Sequence, residues 1–127
     1  MWVKAHRGPV DVALSHETAL VIYGVSDANP AAIHLTVPRN ARLRRAAPDS
    51  VLIHRANLES EDITMVESLP VTTIARTVAD LLAAGSRIEI VTQAISGARR
   101  EGFISSAEAQ RLRRSVQRHL RNLQKTS

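Results

Sequence analysis

ITMVESLPVTTIARTVADLL, residues 63–82, changes its hydrophobic period halfway along, and that change decides the fold class. Ile63 to Val66 is a short run of strand formers, Glu67-Ser68 reads as a tight turn, and Leu69-Pro70-Val71 as a second extended piece. Thr72 or Thr73 then offers a helix N-cap, and Ile74, Val78, Leu81 and Leu82 recur at helical spacing until Gly85 supplies a stop. A sheet with a helix packed on it is the expected result.

Working toward the N-terminus, Val51 to Arg55 reads as another strand, and polar Asn57 to Asp62 joins it to Ile63. Ala32 to Val37 alternates Ile33, Leu35 and Val37 with His34 and Thr36, and Pro38 removes the next ladder donor. Between these strands, residues 39–50 carry four arginines with Pro48 and Asp49, which fits a surface loop. A helix follows Leu14, with Ser15 as its expected cap, Ala19, Leu20, Ile22 and Tyr23 as its apolar face, and Gly24 as its end; Asp27-Ala28-Asn29-Pro30 is a turn. Toward the C-terminus, Ile88, Val91, Ile95 and Ala98 mark a helix that ends at Glu101-Gly102. Ser105 to Glu108 matches a capping box for a last helix, striped by Ala109, Leu112, Val116, Leu120 and Leu123. The expected fold is α+β: a small, mostly antiparallel sheet over residues 32–37, 51–55 and 63–71, flanked by helices, with a C-terminal αα-hairpin. Residues 1–123 are expected to form a single domain and 124–127 a polar tail.

With 127 residues, 44% hydrophobic and 23% charged, the chain has the composition of one globular domain rather than a disordered segment. Trp2, Tyr23 and Phe103 are the only aromatics, so the core must be aliphatic and a base-stacking surface for single-stranded nucleic acid is not expected. Cysteine is absent, which excludes disulfides and thiolate metal sites. No apolar run is long enough for a membrane span or a signal peptide, so a cytoplasmic location is expected. Residues 1–98 hold nine Lys/Arg against ten Asp/Glu, and residues 99–127 hold eight against two. The sum of −1 and +6 is the net +5, so the whole excess is C-terminal. Such a cluster can meet phosphates, an acidic protein surface or only water.

Catalytic signatures are missing. His6, His16, His34, His54 and His119 show no HxxxH or HExxH spacing, so no metal ligation is expected; His34 and His54, on two strands, read as structural cross-strand neighbours. There is no GxSxG elbow and no phosphate-cradling glycine loop. Asp49, Glu59, Glu61 and Asp62 offer carboxylates for a nuclease-type metal site, yet Lys4 and Lys125 are the only lysines and neither follows a carboxylate on a strand. The reading is of a non-enzyme without cofactor.

Three segments together resemble the C-terminal domain of AbiEi-type antitoxins, the antitoxin half of abortive-infection, type IV toxin–antitoxin pairs of bacteria. They are Ser15 to Asp27 (SHETALVIYGVSD), Ile33 to Pro38 (IHLTVP) and Leu69 to Leu82 (LPVTTIARTVADLL), in an order and spacing that match from about Val10 to Leu112. The resemblance implies a domain that opposes a nucleotidyltransferase toxin of the AbiEii type. Family members usually carry a winged-helix DNA-binding domain before this region; only Met1 to Pro9 precede the match here, so that domain is expected to be absent. In the residues themselves, Arg76 and Asp80 stand i,i+4 and are expected to pair.

The expected function is therefore neutralisation of a cognate toxin by direct contact, with Arg111, Arg113, Arg114, Arg118 and Arg121 of the last helix as the toxin-binding face. Arg39, Arg42, Arg44, Arg45, Arg99 and Arg100 are candidate contacts to nucleic acid or a partner, and the four loop arginines are expected to be exposed. The alternative is a DNA-binding repressor or accessory factor of the operon. Its basic tail would track promoter phosphates, and the short connection at residues 101–104 is compatible with helix-turn-helix geometry without being specific to it.

Overall fold

The computed structural model describes residues 12–26, 31–42 and 48–126. Its elements run β1 (Ala13–Leu14), α1 (His16–Tyr23), β2 (Ile33–Val37), β3 (Val51–Arg55), a single 3-10 turn (Ser60–Asp62), β4 (Ile63–Val66), β5 (Leu69–Thr72), α2 (Ile74–Ala83), α3 (Ile88–Arg100) and α4 (Ser106–Thr126). The fold is α+β and ends in the helical hairpin α3–α4, which pack against each other. The residues expected as a polar tail continue α4 as far as Thr126, because Gln124 and Lys125 are good helix formers and no glycine or proline intervenes.

The five strands form one sheet in the order β3-β2-β1-β5-β4. It is mixed, not mostly antiparallel. β4 and β5 form the antiparallel hairpin read from the sequence, with Val66 opposite Leu69, but β2 and β3 are parallel, with Thr36 opposite His54. The physical reason is the connection: residues 38–50 are long enough to carry the chain back to the starting edge, whereas an antiparallel pair needs only a short loop. The two-residue strand β1 joins the halves, antiparallel to β2 and parallel to β5. It is too short to leave a periodic signal, so sequence reading missed it.

Capping follows the expected chemistry in most places. The Thr73 hydroxyl accepts from the Arg76 amide at 3.2 Å, and Gly24 ends α1 in the left-handed region at φ +73°. The Ser105 hydroxyl accepts the Glu108 amide at 3.1 Å, half of the expected capping box; the Glu108 carboxylate turns to Arg111 at 3.9 Å. Ser15 is the exception. It precedes α1 but makes no side-chain cap, because its hydroxyl is taken by Thr36 and His16.

The core is aliphatic. Leu20 of α1, Val71 of β5, Val78 and Leu81 of α2, Val91 and Ile95 of α3, and Val116 of α4 belong to one buried cluster. α2 touches α1, α3 and α4, and α1 lies on β2 and β5, so α2 joins the sheet layer to the hairpin. Gly97 lets α3 approach Val25: a Cβ there would sit 3.0 Å from the Val25 Cβ. No helix among the described residues is long and apolar enough to cross a membrane.

Candidate functional site

α4 is built to do two things at once. Ala109, Leu112 and Val116 are buried in the core, and Arg111, Arg113, Arg114, Arg118 and Arg121 are all exposed on the remaining faces. The apolar stripe outlasts the core it packs on: Leu120 is 37% exposed and Leu123 is 53% exposed. The last turns of α4 therefore present arginines and uncovered leucines together.

Across the hairpin, Arg99 Nε of α3 donates to Ser106 Oγ at 2.6 Å, and Arg113 donates to Ser96 Oγ at 3.3 Å. These bonds place Arg99 beside the α4 arginines. Arg100 is exposed at the end of α3 and faces Glu101 at 4.0 Å. Glu108 is the only acidic residue of α4 and is matched to Arg111; among the described residues Arg114, Arg118 and Arg121 make no ion pair. Exposed pairs at such separations contribute little, so the surface keeps its positive charge.

The loop arginines belong to another region. Arg39 and Arg42 are exposed, as expected; Arg44 and Arg45 lie outside the described residues. The start of this loop is held by Arg55, whose guanidinium donates to the carbonyls of Arg39 at 3.3 Å and Ala41 at 2.9 Å, and by Asn57, which accepts the Arg39 amide at 3.1 Å. Arg39 and Arg42 thus stand at the β2–β3 edge of the sheet, apart from the hairpin.

The threonine-rich β5–α2 junction is architectural. Tyr23 Oη donates to the Thr72 carbonyl at 2.8 Å, the Thr72 and Thr77 hydroxyls are 2.7 Å apart, and Thr77 also donates to the Thr73 carbonyl at 2.7 Å. Arg76 forms the expected pair with Asp80 at 3.0 Å and adds Asp62 at 3.5 Å. Burial raises the Asp80 carboxyl above its usual range against the pull of Arg76, consistent with an Oδ2 that has no hydrogen-bond partner among the described residues.

A third constellation escaped sequence reading. The parallel register sets His34 and His54 one diagonal step apart on the same face of the sheet, and β1, beside β2, delivers His16 to that face at the first residue of α1. His34 Nδ1 lies 2.9 Å from His54 Nε2, and the His16 and His54 rings stack with centroids 3.7 Å apart. His34 Nε2 faces the Glu17 carboxylate at 3.4 Å, and His16 Nδ1 faces Ser15 Oγ at 2.8 Å. The Thr36 hydroxyl donates to Ser15, and the Thr18 hydroxyl accepts the His34 amide. His16 is held in the left-handed region at φ +56°. Burial, reinforced by His54, His34 and Arg76, lowers its pKa to about 4; burial, then His34, lowers that of His54 against the pull of Glu17. The only signal available beforehand was the placement of His34 and His54 on two strands; nothing linked His16 to them.

Compared with known proteins, the sequence matches no family model and no curated protein.

Proposed function

We propose that this domain is an antitoxin of the AbiEi type, acting in the bacterial cytoplasm by direct contact with a nucleotidyltransferase toxin rather than by catalysis. Two things support the reading: the three resembling segments, and the dual character of α4. The single observation that carries it is the make-up of that helix, whose polar faces expose Arg113, Arg114, Arg118 and Arg121 while Leu120 and Leu123 carry the apolar stripe on past the core. Exposed apolar side chains and exposed guanidiniums on one helix suit a protein partner with an acidic rim, because apolar contact adds affinity that phosphates do not offer. A nucleotidyltransferase holds nucleoside triphosphate and metal through carboxylates, so its cleft has the complementary charge.

The test is co-expression with a nucleotidyltransferase toxin of the AbiEii type, the one beside the gene where that neighbour encodes one, read as growth rescue and as affinity between the purified proteins. The parent is expected to rescue growth, and the Arg113→Glu, Arg114→Glu, Arg118→Glu variant to bind roughly tenfold or more weakly, since like charges would then oppose each other. Circular dichroism must show the variant folded. Equal binding and rescue by the folded variant would remove α4 as the neutralising surface. Retention of promoter DNA without toxin binding, with a salt slope that falls by about 0.9 per arginine lost, would instead establish the DNA-binding reading.

A further inference from the structure

We infer that His16, His34 and His54 together bind one divalent transition ion of borderline softness, zinc foremost, through three imidazole nitrogens. The first support is convergence: one ligand atom from each ring can be chosen so that all three lie within 4.8 Å of one another, although the residues come from α1, β2 and β3. The second is the outer shell. A ligating imidazole usually has its other nitrogen held by a carboxylate, carbonyl or hydroxyl, which sets the tautomer and aims the lone pair, and two of the three rings have such a partner. Ser15 Oγ occupies His16 Nδ1 and leaves Nε2 free; Glu17 faces His34 Nε2 and leaves Nδ1, which points at His54 Nε2. Ser15 is itself fixed by the Thr36 hydroxyl at 2.7 Å, so the outer shell has its own support.

Charge and geometry permit the ion. Arg76, whose charge acts on His16, is matched by Asp80 and Asp62, and Glu17 adds a carboxylate beside the cluster. Zinc–nitrogen bonds of about 2.0–2.1 Å in a tetrahedron set ligand nitrogens roughly 3.3 Å apart. The His34–His54 separation of 2.9 Å must open by a few tenths of an ångström, and the His16 ring, now within 15° of parallel to His54, must tilt. Ligand atoms as far as 4.8 Å apart must also draw closer, and rotation about imidazole χ2, a soft torsion, contributes to each of these movements. An all-imidazole donor set suits zinc, nickel or copper rather than magnesium or calcium, and the fourth corner is left to water.

The experiment is zinc titration of the purified full chain, stripped with chelator and dialysed, in competition with a chromophoric chelator. One ion per chain is expected. His16→Asn, chosen because asparagine tolerates the left-handed backbone, and His54→Gln should each weaken binding at least tenfold, Glu17→Gln by roughly 10–100-fold, and His119→Gln on α4 not at all. Cobalt should give the visible d–d bands of a tetrahedral site. Should a histidine variant fail to fold, imidazole NMR of the parent decides: zinc must perturb His16, His34 and His54 while sparing His119. No stoichiometric binding by the parent, unchanged affinity in the folded His16→Asn and His54→Gln variants, or perturbation of His119 alone would overturn the site and leave a hydrogen-bonded histidine cluster.

Discussion

Tyr23 shows how much a single side chain can hold at the junction of the two layers. Its ring is buried in the core and meets Phe103 edge-on at 4.9 Å, while its hydroxyl donates to the Thr72 carbonyl at 2.8 Å. Burial pushes its pKa from 10.0 up to about 12. Since the neutral phenol is the form the fold favours, the folded state holds its proton over a range where the unfolded state has lost it. The associated stability is fully present below pH 10.0 and disappears as pH rises toward about 12, a loss on the order of 3 kcal/mol. Tyr23 is the only tyrosine of the chain, so tyrosinate absorbance reports it directly. The expected midpoint is about 12 in the folded protein and near 10 in denaturant, with Tyr23→Phe losing the alkaline component of unfolding. A native midpoint near 10 would show the phenol to be solvated.

At the scale of elements, the β4–β5 hairpin turns through two residues in the left-handed region, Glu67 at φ +51° and Ser68 at φ +66°. Two positive φ values in succession describe the turn that matches strand twist and favours Asn-Gly, so both residues carry a steric cost that glycine avoids. Ser68→Gly is expected to stabilise the domain by about 0.5–1 kcal/mol, the relief of strain exceeding the entropy glycine adds to the unfolded chain. Denaturant midpoints check this, and a destabilised variant would mean that the hairpin does not turn at these residues. The turn itself was readable from Glu67-Ser68 between two strand-forming runs. The parallel pairing of β2 with β3 was not, since both strands would show the same alternation in either direction and only the length of residues 38–50 favours the crossover.

For the molecule as a whole, α4 divides into a part that completes the core and a part that lies beyond it. Ala109, Leu112 and Val116 fill space against the other helices, while Leu120 to Lys125 are exposed. Ending the chain at Gly102 strips the first group and should abolish cooperative unfolding, because several buried side chains at about 2–5 kcal/mol each exceed the total stability of a domain this small. Ending it after Arg118 should cost less than about 1 kcal/mol, the fraying of a solvated helix end. Thermal melts of the two truncations test this, and a large loss from the shorter deletion would show that the outer turns pack where the structure leaves them exposed. In the co-expression assay only the longer-lived truncation, which folds but lacks Leu120, Arg121 and Leu123, speaks to partner binding.

The sequence by itself determined what local chemistry can determine: the strand–turn–strand–helix reading of residues 63–82, the glycine end of α1, a threonine cap at 72 or 73, the Arg76–Asp80 pair and the basic striped helix at the end. Each depends on residues a few positions apart, whose spacing matches one turn of helix or one pleat of strand. Tertiary structure alone decided the rest. Strand order inserts Ala13–Leu14 between β2 and β5, parallel register sets His54 diagonally from His34, and the two together bring His16 onto the same face. That same packing takes the Ser15 hydroxyl away from its expected cap and gives it to Thr36 and His16. Residues 16, 34 and 54 share no periodicity that a chain read in order can reveal, because what unites them is the pairing of strands, and pairing is a choice among partners distant in sequence.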